Sequence, residues 1–180
     1  MTVMTSESMV FNRLATLVFA ASGADWDALY AEQLPRVYNF FRYRIGNDAV
    51  AEDLTSITFE KAWQARSRYR RDLGAFSTWL LAIARNVAVD HYRRHRRHEP
   101  LEAADAVAAG ESPEELAERR SDVERLGRLL EQLPEREREL VALKYGAGMT
   151  NRAIARLTQL TESNVGTILH RTIQGLRDGW

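Results

Sequence analysis

Cysteine does not occur in this 180-residue chain. Its absence rules out a disulfide framework and thiolate metal sites, and it suits a reducing compartment such as the cytoplasm. Neither sign of charge is in excess, since 25 Lys and Arg balance 25 Asp and Glu. A free-standing DNA binder usually carries a basic surplus, because neutralising phosphates supplies most of its affinity. If this chain touches nucleic acid, a local patch or a larger partner has to provide the field. Long apolar runs are missing as well. The stretch LATLVFAASGA (14–24) falls well below the ~20 residues of a membrane span, so no membrane insertion is expected. Its small residues imitate a secretory signal, but the charged residues before it are Glu7 and Arg13, which make no basic leader. Residues 1–24 therefore read as an N-terminal extension with a short accessory helix. Finally, there is no Gly-rich phosphate loop, no nucleophile elbow and no metal-spaced His/Glu set. The expectation is a protein that is not an enzyme and needs no cofactor or metal.

What the chain does have is helical periodicity. Hydrophobic residues make up 45% of it, enough for a core. Apolar positions 26, 29, 30, 34, 37, 41 and 45 follow a helical spacing, punctuated by GND at 46–48. A second helix is expected from Asp48 to Arg68, with Val50, Leu54 and Ile57 on its stripe and Phe59 and Trp63 paired four apart. After Gly74 a third begins near Ser77, with Trp79, Leu80, Ile83 and Val87 inward. Beyond the linker, Val123, Leu126, Leu129, Leu130 and Leu133 form another stripe. Pro134 suits the first turn of the next helix, which carries Leu140, Val141 and Tyr145 up to GAG at 146–148. Strand-type alternation appears nowhere. The fold class is all-α: two small helical domains joined by an acidic linker, the second containing a helix-turn-helix.

The charges are sorted into opposed blocks. Asp90–His98 holds four arginines and three histidines, whereas 99–118 holds seven carboxylates and no Lys or Arg. The acidic block, with two prolines and a glycine, reads as a linker over 99–120 between domains at 25–98 and 121–180. Basic residues at a helix C-terminus often do no more than compensate the dipole. Here, however, the same helix carries Trp79, Asn86, Asp90 and Tyr92, and aromatics beside arginines suit single-stranded nucleic acid. His91, His95 and His98 have helical spacing but no carboxylate inside their cluster, so a metal site is not expected.

MTNRAIARLTQLTESNVGTILHRTIQGLR (149–177) reads as two short helices joined by a tight turn at Leu160. Thr150 and Thr161 cap them, with Ile154 and Leu157 inside the first and Val165, Ile168, Leu169, Ile173 and Leu176 inside the second. A generic helical pair would share this pattern. A helix-turn-helix would place the second helix in the major groove, offering Glu162, Ser163, Asn164, Thr167, His170 and Arg171.

Four stretches, in this order, carry a family resemblance: AEDLTSITFEKAW (51–63), FSTWLLAIARNVAVDHYRR (76–94), LEQLPEREREL (130–140) and TESNVGTILHR (161–171). The chain resembles the small extracytoplasmic-function (ECF) sigma factors of bacterial RNA polymerase over about residues 25–177. The resemblance implies partners: core RNA polymerase, through its clamp and flap, and promoter DNA. It leaves open an anti-sigma factor as a candidate regulator. It implies that Glu52, Asp53, Thr55, Thr58 and Phe59 lie in the polymerase-binding helix. Arg70, Asn86, Asp90, Arg93, Arg94 and Arg97 would face the −10 element, and Ser163, Asn164, Thr167, His170 and Arg171 the −35 element. The acidic linker would thread into polymerase channels whose walls are basic. One departure stands out, because the early turns of the recognition helix carry Gly166 and Ile168 where the family usually has Lys or Arg. The rival reading is a stand-alone helix-turn-helix regulator, which would bind duplex DNA without polymerase.

Overall fold

The computed structural model describes residues 26–70, 72, 74–95 and 125–180. They form α1 (Trp26–Ile45), α2 (Asp48–Gln64), a 3-10 turn (Arg66–Arg68) and α3 (Phe76–His95). A helix over 125–131 (α4) follows, then α5 (Glu135–Val141), α6 (Asn151–Thr158) and α7 (Glu162–Asp178). No strand occurs among the described residues, and the all-α expectation holds. The chain divides into a compact unit ending at Leu34 and another spanning Pro35–Trp180. In the first, the opening turns of α1 bury Trp26 and Gln33, and Gln33 Nε2 donates to Glu32 Oε1 at 3.0 Å.

The larger unit holds two helical modules. In the first, Val37, Phe40 and Phe41 of α1 are buried, as are Ala51, Leu54 and Ala62 of α2 and Leu80, Leu81, Ala84 and Val87 of α3. The turn between α1 and α2 uses Gly46 at φ +79 and an Asn47 cap, whose side-chain oxygen accepts from the Val50 N–H at 2.9 Å. Two threonines enter this core because their hydroxyls are satisfied locally. Thr55 donates to the Ala51 carbonyl at 2.6 Å and Thr58 to the Leu54 carbonyl at 2.7 Å.

Two expectations are corrected here. α2 stops at Gln64 instead of running to Arg68, because the chain tightens into the 3-10 turn. The Arg66 guanidinium stacks 3.6 Å from the Trp63 ring centre and donates to the Trp63 carbonyl at 2.9 Å, which satisfies a helix-end acceptor. Ile57, expected on the apolar stripe, is 38% exposed.

The second module packs Leu130, Leu140, Val141, Leu143, Met149, Ile154, Val165 and Leu169, with Thr172 among them. Here too the sequence reading is corrected. Pro134 stands at the cap of α5 in an extended conformation (φ −51, ψ 143), not inside its first turn. Past Val141 the backbone widens into a π-turn over Ala142–Gly146. The extra residue per turn rotates the side chains that follow, so Leu143 is fully buried while Tyr145 points to solvent at 51% exposure.

The modules meet closely. A Cβ on Gly146 would lie 2.7 Å from the Asn39 carbonyl oxygen, so only glycine lets this turn sit on α1. Arg36 Nε donates to the Ala147 carbonyl at 2.8 Å. Arg44, with its side chain 2% exposed, donates to the Glu135 carbonyl and lies 3.2 Å from Glu135 Oε1 and 4.0 Å from Glu139 Oε1. Its guanidinium also lies 5.4 Å from the centre of the Tyr92 ring, and the Tyr92 hydroxyl donates to the Arg44 carbonyl at 2.5 Å.

Candidate nucleic-acid interface

α3 buries Leu80, Ala84, Val87 and Ala88, and this places Asn86 and Arg93 on the opposite side, seven residues and nearly two turns apart. Asn86, Arg93 and Arg94 are exposed; Asp90 is half-exposed, its Oδ2 lying 3.8 Å from Lys61 Nζ. The loop before α3 is built on three aromatic rings. Tyr69, Phe76 and Trp79 have centres 5.3–5.5 Å apart, and the Tyr69 hydroxyl closes the loop by donating to the Gly74 carbonyl at 3.1 Å. Arg70 is exposed on this loop and grips Asp72 with two hydrogen bonds of 3.0 and 2.8 Å, which hold the Asp72 carboxyl below its ordinary pKa. Arg97 lies outside the described residues. The sequence reading missed Trp63–Arg66 and Tyr69 on this side; the signal was there in the alternation of aromatic and arginine through 63–70.

On α2, Glu52 and Asp53 are exposed beside Ser56 and Glu60, while Thr55, Thr58 and Phe59 are buried. The helix can therefore offer a partner an acidic outer face, with the two threonines and Phe59 supporting it from below.

The second face is a helix-turn-helix. Thr150 caps α6 by accepting from the Ala153 N–H at 3.2 Å, and Thr161 caps α7 by accepting from the Asn164 N–H at 3.1 Å. Gln159 makes the turn in the left-handed region (φ 59), and the Leu160 N–H returns to the Ala155 carbonyl at 3.0 Å. With Val165, Leu169 and Thr172 buried, Ser163, Asn164, Thr167, His170 and Arg171 are all exposed. All five expected residues are thus brought onto one helix. Packing does not require Gly166, since a Cβ there would meet Asn151 Nδ2 at an ordinary 3.6 Å. The sequence reading did not single out Arg152 and Arg156, which are exposed on α6. Arg152 Nε lies 3.3 Å from Glu162 Oε2, tying the two helices together. No helix among the described residues is long and apolar enough to cross a membrane.

These two faces coincide with two family models. Sigma-70 region 2 matches residues 29–98, and Sigma-70 region 4 matches residues 123–174. The RNA polymerase sigma factor CarQ of Myxococcus xanthus is 33% identical over 159 residues, which is 85% of this chain and 87% of CarQ. The chain belongs to the sigma-70 family, in its ECF group. The ECF RNA polymerase sigma factor BldN of Streptomyces coelicolor is 29% identical over 170 residues; the match takes in 91% of this sigma factor but only 64% of BldN's length. Among solved structures, the sigma factor RpoE from Bartonella quintana, in complex with the anti-sigma factor NepR, shares the fold. Its TM-score is 0.71 at 20% identity, over 86% of this sigma factor and 96% of RpoE.

Proposed function

We propose that this chain binds core RNA polymerase in the cytoplasm, recognises and melts promoter DNA, and so directs transcription initiation. The single observation that carries the reading is the coincidence of two ordered sigma-70 regions with two solvent-facing surfaces, one on α3 and one on α7. The first module, over 25–98, takes the −10 element with Arg70, Asn86, Asp90, Arg93, Arg94 and Arg97. The aromatic loop beside Asn86 is suited to an unstacked base, because stacking and arginine together hold single strands without demanding a duplex. The second module, over 121–180, sets α7 in the major groove of the −35 element, with Ser163, Asn164, Thr167, His170 and Arg171 toward the bases and Arg152 and Arg156 toward phosphate. The outer acids of α2, Glu52 and Asp53, meet basic residues of the polymerase clamp. The linker over 99–120 lies in polymerase channels that hold nucleic acid, and an anti-sigma factor is the natural regulator of such a chain. Its work is recognition, with no reaction catalysed by its own residues.

A gel shift on a promoter fragment, with and without core polymerase, tests the reading. Binding that needs core supports it, whereas tight binding by the chain alone would favour the stand-alone regulator. Charge reversal at Asp53 adds a sharper check: affinity for core should fall several-fold in a competition assay while helical content stays the same. Undiminished affinity would remove α2 from the polymerase interface.

A further inference from the structure

Ile57 stands outside the core that its place in the apolar pattern suggested. The large apolar side chains left exposed among the described residues are Tyr30, Ile57, Tyr145 and Trp180, and of these only Ile57 lacks a polar group. A lone exposed isoleucine is ordinary on a protein surface; the position of this one is not. Asp53, Ile57, Glu60 and Lys61 stand at i, i+4, i+7 and i+8 of α2 and share its outer face, with the three charged residues exposed around the apolar one. Lys61 Nζ lies 3.8 Å from Asp90 Oδ2 of α3, so Ile57 sits between the acids proposed to meet the polymerase and the edge of the −10 face. The helix itself has no need of it. Leu54, Thr58 and Phe59 fill the inward side, and a β-branched residue facing solvent forms helix less well than Ala, Gln or Glu.

An apolar side chain ringed by charge is the arrangement of an interface anchor. The charged rim steers the partner and excludes water, while the desolvated centre supplies much of the affinity. DNA does not fit here, because its phosphates would meet Asp53 and Glu60 within one turn. The occupant is a protein surface that offers an apolar notch among basic side chains.

We propose that Ile57 is the apolar anchor of α2 on core RNA polymerase, inserting between the contacts made by the acids on either side. The proposal rests on the polymerase reading of α2. The test is displacement of a fluorescently labelled wild-type chain from core polymerase by unlabelled full-length variants, at low and high salt. Ile57 is 38% exposed, so covering what remains of it predicts a loss of roughly three- to sevenfold in Ile57→Ala. Ile57→Glu should lose more and Ile57→Val little, with circular dichroism and melting temperature as in wild type. Because the contact is apolar, the loss in Ile57→Ala should persist at high salt, whereas that of an Asp53 charge reversal should shrink as ions screen it. Folded Ile57→Ala and Ile57→Glu variants that displace as well as wild type would overturn the proposal, as would a loss that fades with salt. Self-association of the free chain that Ile57→Glu abolishes would overturn it too, by making the occupant a second copy. The two claims fail separately. If only the Asp53 reversal weakens binding, the anchor falls and the polymerase reading of α2 stands; if neither residue matters, both fall.

Discussion

Asn86 and Arg44 are opposite kinds of polar residue, and substitution should tell them apart. Asn86 stands in solvent on α3, so its removal disturbs no packing and should move stability by less than about 0.5 kcal/mol. Asn86→Ala should instead reduce open-complex formation on a duplex promoter more than on a pre-melted bubble. Equal loss on both templates would mean that Asn86 contributes to binding, not to melting. Arg44 is enclosed between Glu135, Glu139 and the Tyr92 ring. Glu135 is half-exposed and Glu139 keeps Arg85 as a partner, so Arg44→Ala strands neither carboxylate and should destabilise the chain by about 1.5–3 kcal/mol in chemical denaturation, chiefly through the lost hydrogen bond to the Glu135 carbonyl. Tyr92 adds a pH signature. Burial pushes its hydroxyl above the ordinary pKa of 10.0, with Arg44 pulling the other way. The proton is held more firmly in the folded chain, so its contribution is complete below pH 10 and is lost as pH rises through the folded value. Tyr92→Phe should flatten the alkaline decline in melting temperature; an unchanged decline would assign it to other groups.

At the scale of elements, the helix-turn-helix was the most legible part of the sequence, and the reason is local. Thr150 and Thr161 announce their helices by side-chain chemistry that acts within three residues. Apolar spacing likewise placed α1, α3 and α7. What could not be read depended on atoms distant in sequence or on small backbone choices. The π-turn at Ala142–Gly146 exists where the second module rests on Asn39, and nothing near Tyr145 reports that. The early stop of α2 depends on one arginine folding back onto Trp63. The burial of Thr55 and Thr58 hides residues that motif matching alone would offer to a partner. α7 also supports a prediction about readout. With Gly166 and Ile168 in its early turns and no Lys or Arg there, Arg171 is the first exposed arginine along the helix. A bidentate Arg–guanine pair is worth ~1–3 kcal/mol, so Arg171→Ala should cost about that much −35 discrimination. The check is holoenzyme transcription from promoters with native and scrambled −35 elements. Indifference of the wild type to scrambling would show that α7 does not read sequence; sensitivity retained by Arg171→Ala would pass the role to another residue.

The whole molecule is neutral in sum but its charges are sorted along the sequence, and the contact between the modules extends that sorting to individual pairs. Arg36, Arg44 and Arg85 of the first module meet carbonyls and carboxylates of the second. On the proposed promoter reading, the chain gives up these contacts to reach two separate DNA elements, so they cannot be too strong in total. Gly146 offers the cleanest way to measure them. It lies against the α1 backbone, where a methyl group meets the Asn39 carbonyl oxygen and the Phe40 nitrogen, at 2.7 and 3.1 Å, and neither can swing aside as a side chain would. It is not among the positive-φ glycines, so alanine costs nothing in backbone conformation there. Gly146→Ala should therefore leave the helices of both modules intact while pushing the modules apart. Small-angle scattering of the free chain should show a larger radius of gyration than wild type, with unchanged circular dichroism. On the same reading, the variant bound to core polymerase should transcribe as wild type does, because the proposed promoter complex does not use the contact it breaks. An unchanged radius would mean that the turn can shift without undocking. A larger radius together with impaired transcription would mean that Gly146 also matters in the open chain, and the docked contact would then not be its main purpose.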